Sequence, residues 1–189
     1  MPRITCAEAL QRGKACAAMI YDSGRPDVAD WQPAWLWCLA QVAPDGTAVE
    51  CGVAHGGSMA TWAAAREGRG QVVAVDYKFR VGIKERLKAY GYNVEYLECM
   101  SWDAPARLKG QAAFCFIDAC HDVTGISKDI AVWPNQIMPG GVLAFHDYDV
   151  WKPGVAVKEY VDAWQAIAKW QYLGCVGALI AFRRPGGAR

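Results

Sequence analysis

The chain has 189 residues, a formal charge of +1 and just over half hydrophobic residues, a composition that suits one buried core. Near-neutral charge offers no basic surplus for a nucleic acid or an anionic membrane, and no apolar run reaches the roughly 18 residues that cross a bilayer. The expectation is a cytoplasmic single domain over 1–189, with N-terminal helices in 1–45, an α/β core in 46–189, and neither nucleic acid nor membrane as partner.

The eight cysteines are scattered, none forms C-x-x-C, and several sit in apolar runs such as "AFCFIDAC", so reduced thiols are expected. The basic tail "RRPGGAR" is short and reads as a solvated terminus.

Two helical patterns come first. Residues 5–20 are rich in Ala, Leu, Gln and Lys, and residues 28–43 carry Trp31, Trp35, Leu36, Leu39 and Val42 at helical spacing. Trp at that spacing belongs to a core, and these helices could also supply a homodimer surface.

From Thr47 short apolar runs alternate with turns and helix-like segments: "TAVEC", "QVVAVD", "NVEYLEC", "AAFCFID" and "GVLAFHD". Strands alternating with helices build a parallel, doubly wound α/β sheet. The final "KWQYLGCVGALIAFRR" leaves no room for a helix and reads as an antiparallel hairpin on the sheet edge. The expected fold is a seven-stranded, mostly parallel sheet. Ligands of such sheets sit outside the carboxyl ends of the strands, which directs attention to Glu50, Asp76, Cys99–Ser101, Asp118, His146 and Asp147.

"VECGVAHGGSMATW" places Gly52, Gly56 and Gly57 between a strand and a helix opening near Ser58. Glycines let backbone approach a ligand, and the helix N-terminus offers free N–H groups. Asp76 follows at the distance where an acidic residue meets a ribose hydroxyl pair. NAD and S-adenosylmethionine both satisfy these two features, although Ala54 stands where G-x-G-x-x-G has its second glycine.

"FIDACHD" ends the fourth strand with Asp118 and continues to His121, and "GGVLAFHDYD" ends the fifth with His146 and Asp147. Two neighbouring strands thus bring two carboxylates and an imidazole to one edge. Unpaired carboxylates repel unless a cation lies between them, and a divalent metal explains the grouping economically.

Together "VECGVAHGGS", "VVAVD", "FIDACHD" and "PGGVLAFHDYD" resemble the class I S-adenosylmethionine-dependent methyltransferases, above all the small metal-dependent O-methyltransferase branch with its cephalosporin-hydroxylase-like members. The likeness spans roughly Ala48 to Gly154. It implies that Glu50, Gly52, Gly56 and Ser58 shape the pocket for the methionine part of S-adenosylmethionine, that Asp76 holds the ribose, and that Met100–Trp102, with Ser101, lies near the adenine. It implies further that Asp118, which also borders the cofactor, binds a divalent cation (Mg²⁺ or Mn²⁺) with His146 and Asp147. The imidazole shifts the preference from Mg²⁺ toward softer ions.

By the same resemblance His121 occupies a position of basic character and is the expected general base, acting with Asp118 on a small hydroxylated substrate. Tyr148, Asp149 and Trp151 would form its rim. Two other readings stand beside this one: an NAD-dependent oxidoreductase, and a methyltransferase-like protein that binds cofactor without chemistry.

Overall fold

The computed structural model describes residues 32–66, 68–89 and 91–186. The helix expected over 5–20 lies outside them, as does the start of the one expected over 28–43. The described part of the latter is α1 (Gln32–Val42). There follow β1 (Thr47–Cys51), α2 (Gly57–Arg66), β2 (Val72–Asp76), α3 (Ile83–Ala89), β3 (Val94–Glu98), a 3-10 turn (Ser101–Arg107), β4 (Ala112–Ile117), α4 (Val123–Gln136), β5 (Ile137–Phe145), α5 (Val157–Ala168), β6 (Gln171–Val176) and β7 (Leu179–Arg183).

These strands form one sheet in the order β3-β2-β1-β4-β5-β7-β6. β1 through β5 pair in parallel, and β7 runs antiparallel to both β5 and β6, the hairpin anticipated from the sequence. The order reverses between β1 and β4, so the crevice of a doubly wound sheet opens there.

Alternation along the central strands divides the core into two layers. Phe114 and Phe116 of β4 pack with α1 and α2, whereas Cys115 and Ile117 pack with α4 and α5. β4 is buried at every position because both faces are covered. The cysteines among the described residues are free thiols, with Cys51 and Cys115 buried.

One boundary differs from expectation. β5 starts earlier, at Ile137, and ends at Phe145, so His146 and Asp147 follow the strand instead of closing it. His146 still donates its backbone N–H to Ile117 O at 2.9 Å, which extends the parallel pairing by one bond. Asp147 then turns the chain with a left-handed φ of 54°.

Candidate active site

A cleft of about 620 Å³ opens at the carboxyl ends of β1 to β4, with Gly52, Asp76, Ser101, Asp118 and His121 on its wall. Its size lies within the range of cofactor sites. A smaller cavity, about 120 Å³, lies on the other side of Asp118 between Gln32, Ser58, Phe116 and His146.

The glycine turn is shaped by packing as much as by ligand access. A Cβ on Gly52 (φ 87°) would sit 2.0 Å from the Asp118 carbonyl oxygen, and one on Gly56 (φ 79°) would meet Ile83 at 2.6 Å. Gly52 therefore lets the ends of β1 and β4 pass close together. Ala54 also takes a left-handed φ, 46°, at the place where the dinucleotide pattern has glycine.

Asp76 supports this turn from the next strand. Its Oδ2 accepts from the backbone N–H groups of Val53 at 3.0 Å and Ala54 at 3.2 Å, and its Oδ1 from Lys78 N at 3.2 Å. The two donors fill the lone pairs of Oδ2, whereas Oδ1, with one donor, retains acceptor capacity.

Glu50 lies behind the turn, not in the cleft, and is 0 % exposed. Strand alternation directs it to the α2 layer, where Ser58 Oγ donates to Oε1 at 2.6 Å and Trp62 Nε1 donates to Oε2. Burial pushes its carboxyl up to about 8, against the lowering effect of these two donors. Ser58, at the start of α2, is thereby tied to Glu50 and borders the smaller cavity.

Asp118, His121, His146 and Asp147 do converge. Asp118 follows β4, its N–H bonded to Cys51 O at 2.8 Å. His121 stands just before α4, whose cap is Asp122, accepting from Gly125 N at 2.8 Å. The start of α5 also holds it, since Ala156 N donates to His121 O at 2.8 Å.

His121 Nδ1 lies 3.0 Å from Asp147 Oδ2, and His146 Nδ1 lies 3.2 Å from Asp118 Oδ1 and 3.4 Å from Asp147 Oδ1. One donor atom each from Asp118, His121 and Asp147 fits within 4.8 Å of the others, a spacing that can hold a metal ion. His146 stands beside this trio with its Nε2 2.9 Å from Gln32 Oε1. Both of its ring nitrogens thus face acceptors, the pattern of an imidazolium.

The electrostatics agree with that geometry. Burial opposes a charge on His146, yet hydrogen bonding to Asp118 and Asp147 outweighs it and holds the imidazole up to about 10. The hydrogen bond to Asp147 raises His121 against the effect of burial. His121 and then His146 hold Asp147 well below the usual carboxylate range.

Ser101 borders the cleft, but its hydroxyl turns inward and donates to Asp129 Oδ2 at 2.9 Å, while its carbonyl accepts from Trp133 Nε1 at 3.2 Å. Of the expected rim, Tyr148 donates to Asp162 at 2.5 Å and accepts from Lys158 at 3.1 Å. Trp151 is 96 % exposed.

Sequence reasoning missed Gln32 and Asp129. Gln32 contacts His146 across 114 positions of chain and has no local signature. Asp129 interrupts the apolar helical face formed by Ile126 and Trp133, a placement that marks a buried carboxylate.

The profile of the methyltransferase domain family matches residues 49–148, just over half of the chain. Comparison with curated proteins gives no match. Among solved structures, the O-methyltransferase NovP is 16% identical, with a TM-score of 0.69 over 96% of this chain and 100% of its own. The O-methyltransferase TomG of Streptomyces achromogenes, involved in tomaymycin synthesis and solved with S-adenosylmethionine, is 19% identical, with a TM-score of 0.64 over 94% and 90%. MycE of the mycinamycin pathway, solved with Mg, S-adenosylhomocysteine and mycinamycin VI, is 16% identical, with a TM-score of 0.66 over 93% of this chain and 53% of its own. At such identities the likeness concerns the fold, which these proteins share. With the profile match spanning the glycine turn, Asp76, Asp118, His146 and Asp147, the chain belongs to the methyltransferase domain family, in the class I S-adenosylmethionine-dependent methyltransferases.

Proposed function

We propose that this enzyme moves the methyl group of S-adenosylmethionine to a hydroxyl of a small molecule, with a divalent cation at Asp118, His121 and Asp147. The observation that carries the reading is the position of this donor trio, because Asp118 and His121 belong at once to the trio and to the cleft wall. A hydroxyl bound there would lie beside the space a cofactor fills.

Gly52 and Gly56 would receive the methionine portion, Asp76 the ribose and Ser101 the adenine, with Glu50 and Ser58 bracing the turn from behind. The cation, when bound, acidifies and orients the hydroxyl. Methyl transfer would break the C–S bond as the C–O bond forms, and the hydroxyl proton would pass to the Asp118 carboxylate on the cleft wall. Holding both reactants in line is the main catalytic contribution, since the sulfonium donor is already activated.

The 3.0 Å contact between His121 and Asp147 favours a second reading, in which His121, made more basic by Asp147, takes the proton without a metal. We further propose a small hydroxylated molecule, not a nucleic acid or a membrane, as the partner, and a cytoplasmic place for the protein. Among the described residues no helix is long and apolar enough to cross a membrane.

Calorimetric titration of metal-stripped protein with S-adenosylmethionine and with NAD, then with Mn²⁺ or Mg²⁺, tests the proposal. S-adenosylmethionine binding without NAD binding, plus a metal signal lost in Asp147→Ala, is the expected result. Absence of S-adenosylmethionine binding would overturn the proposal. Binding of the cofactor with no metal signal, and turnover unaffected by chelator, would transfer the chemistry to His121 alone.

A further inference from the structure

Asp129 lies in α4 with 0 % exposure, and its Oδ1 has no hydrogen-bond partner. Its Oδ2 accepts one bond, from Ser101 Oγ at 2.9 Å. Ser101 is itself buried at 6 % exposure and forms part of the cleft wall just beyond β3.

A hydroxyl has one proton and two lone pairs. With its proton committed to Asp129, the Ser101 hydroxyl can offer the cleft only an acceptor. Rotating the proton outward would leave both carboxylate oxygens bare in the interior, which is unfavourable. The carboxylate therefore fixes the polarity of the wall without touching the ligand.

Resting on the cofactor reading above, we infer that Asp129 is a positioning residue that locks the Ser101 hydroxyl as an acceptor and so selects a purine bearing an exocyclic amine. The placement is that of the cofactor as proposed above, and the sheet order is compatible with it. The transferring end of the cofactor belongs at Asp118, its ribose at Asp76 on β2, and its base beyond, where β3 delivers Ser101. An amine donor meets the fixed acceptor, whereas a purine without it leaves the acceptor unpaired.

Burial pushes the Asp129 carboxyl up to about 7, against the lowering effect of the Ser101 hydrogen bond. The partnerless Oδ1 is the oxygen that takes the proton, so Oδ2 remains an acceptor in both forms.

The test is calorimetric affinity for S-adenosylhomocysteine and for its 6-deamino analogue, with purine in place of adenine. Wild type should prefer the amine by about tenfold, the net worth of one hydrogen bond. Asp129→Leu should reduce that preference to about twofold while affinity for the deamino analogue holds, and Ser101→Ala, a milder change at the wall, should do the same. Asp129→Asn keeps an acceptor and should restore the preference. A purely structural role for Asp129 would weaken both ligands equally, and that result, or an unchanged preference in Asp129→Leu and Ser101→Ala, overturns the inference alone. Failure of wild type to bind S-adenosylhomocysteine would overturn the cofactor reading and the inference with it.

Discussion

His121 donates from Nδ1 to Asp147 Oδ2 at 3.0 Å, and Asp147 receives that bond from a left-handed backbone position, φ 54°. Few residues other than glycine accept that conformation, and Asn and Asp are the readiest. The same position also needs a negative charge to gather two histidines. Asp147→Asn separates these demands, since it keeps the turn and loses the charge. Mn²⁺ affinity, read by electron paramagnetic resonance, should fall by at least about tenfold, and the melting temperature at neutral pH should fall as well, because the two histidines lose their shared anion. Asp147→Ala should lose the metal and, in addition, roughly 1 kcal/mol of stability through the backbone. Wild-type Mn²⁺ affinity in both variants would remove the cation from this cluster.

Glu50 supplies a pH dependence of definite sign. Its carboxyl is raised by burial from 4.5 in the unfolded chain to about 8 in the fold. Between those values the folded state binds more protons than the unfolded one, so stability from this group declines as pH rises from 4.5 to 8 and is flat above. Glu50→Gln keeps acceptor and donor capacity toward Trp62 and Ser58 but cannot ionise. Wild type should therefore lose melting temperature relative to Glu50→Gln between pH 5 and pH 9. Parallel curves for the two proteins would show that Glu50 is charged in the fold at neutral pH.

Much of this architecture is legible in the chain, for physical reasons that particular residues make plain. β1 and β4 are central and covered on both faces, so "TAVEC" and "AAFCFI" are apolar runs apart from Thr47 and Glu50. Asp118, His121, His146 and Asp147 could be grouped because each lies at or just after a strand end, and strand order alone brings those ends together. What could not be read is any pairing that depends on side-chain direction. Glu50 precedes the glycine turn and looks like a ligand contact, yet alternation turns it onto Trp62. Ser101 belongs to the segment expected near the adenine, yet Asp129 on a helix begun later in the chain takes its proton. His121 and His146 exchange prominence for the same reason, because only the fold shows Gln32 beside His146.

Ala54 occupies φ 46°, where a Cβ costs roughly 1–2 kcal/mol. Glycine removes that cost but adds freedom to the unfolded chain, at about 0.5–1 kcal/mol. The balance favours Ala54→Gly, with a melting temperature higher by about 2–4 °C per kcal/mol gained. The Ala54 N–H bond to Asp76 at 3.2 Å is a backbone contact and survives the change. Differential scanning calorimetry of the two proteins decides the matter, and a lower melting temperature for the variant would mean that the methyl group packs usefully against the turn.

Arg66 is buried at 1 % exposure, and its guanidinium serves four carbonyls: Ala40 at 3.2 Å, Ala43 at 3.4 Å, Gly46 at 3.0 Å and Arg69 at 3.1 Å. Two of these belong to the end of α1 and the residue after it, where helix carbonyls lack partners of their own. Arg66 therefore fastens α1 to α2, and α1 in turn brings Gln32 to His146. Lysine carries the same charge but a single ammonium that cannot spread over four acceptors. Arg66→Lys should cost about 3 kcal/mol, the desolvation of carbonyls left unpaired, and lower the melting temperature by on the order of 10 °C. Because α1 also carries Gln32, the histidine should respond as well. Heteronuclear NMR of the His146 ring nitrogens should show exchange between ring states in the variant and one imidazolium form in wild type near pH 7. An unchanged His146 spectrum in a destabilised Arg66→Lys protein would separate the two ends of α1 and leave Arg66 with a purely local role.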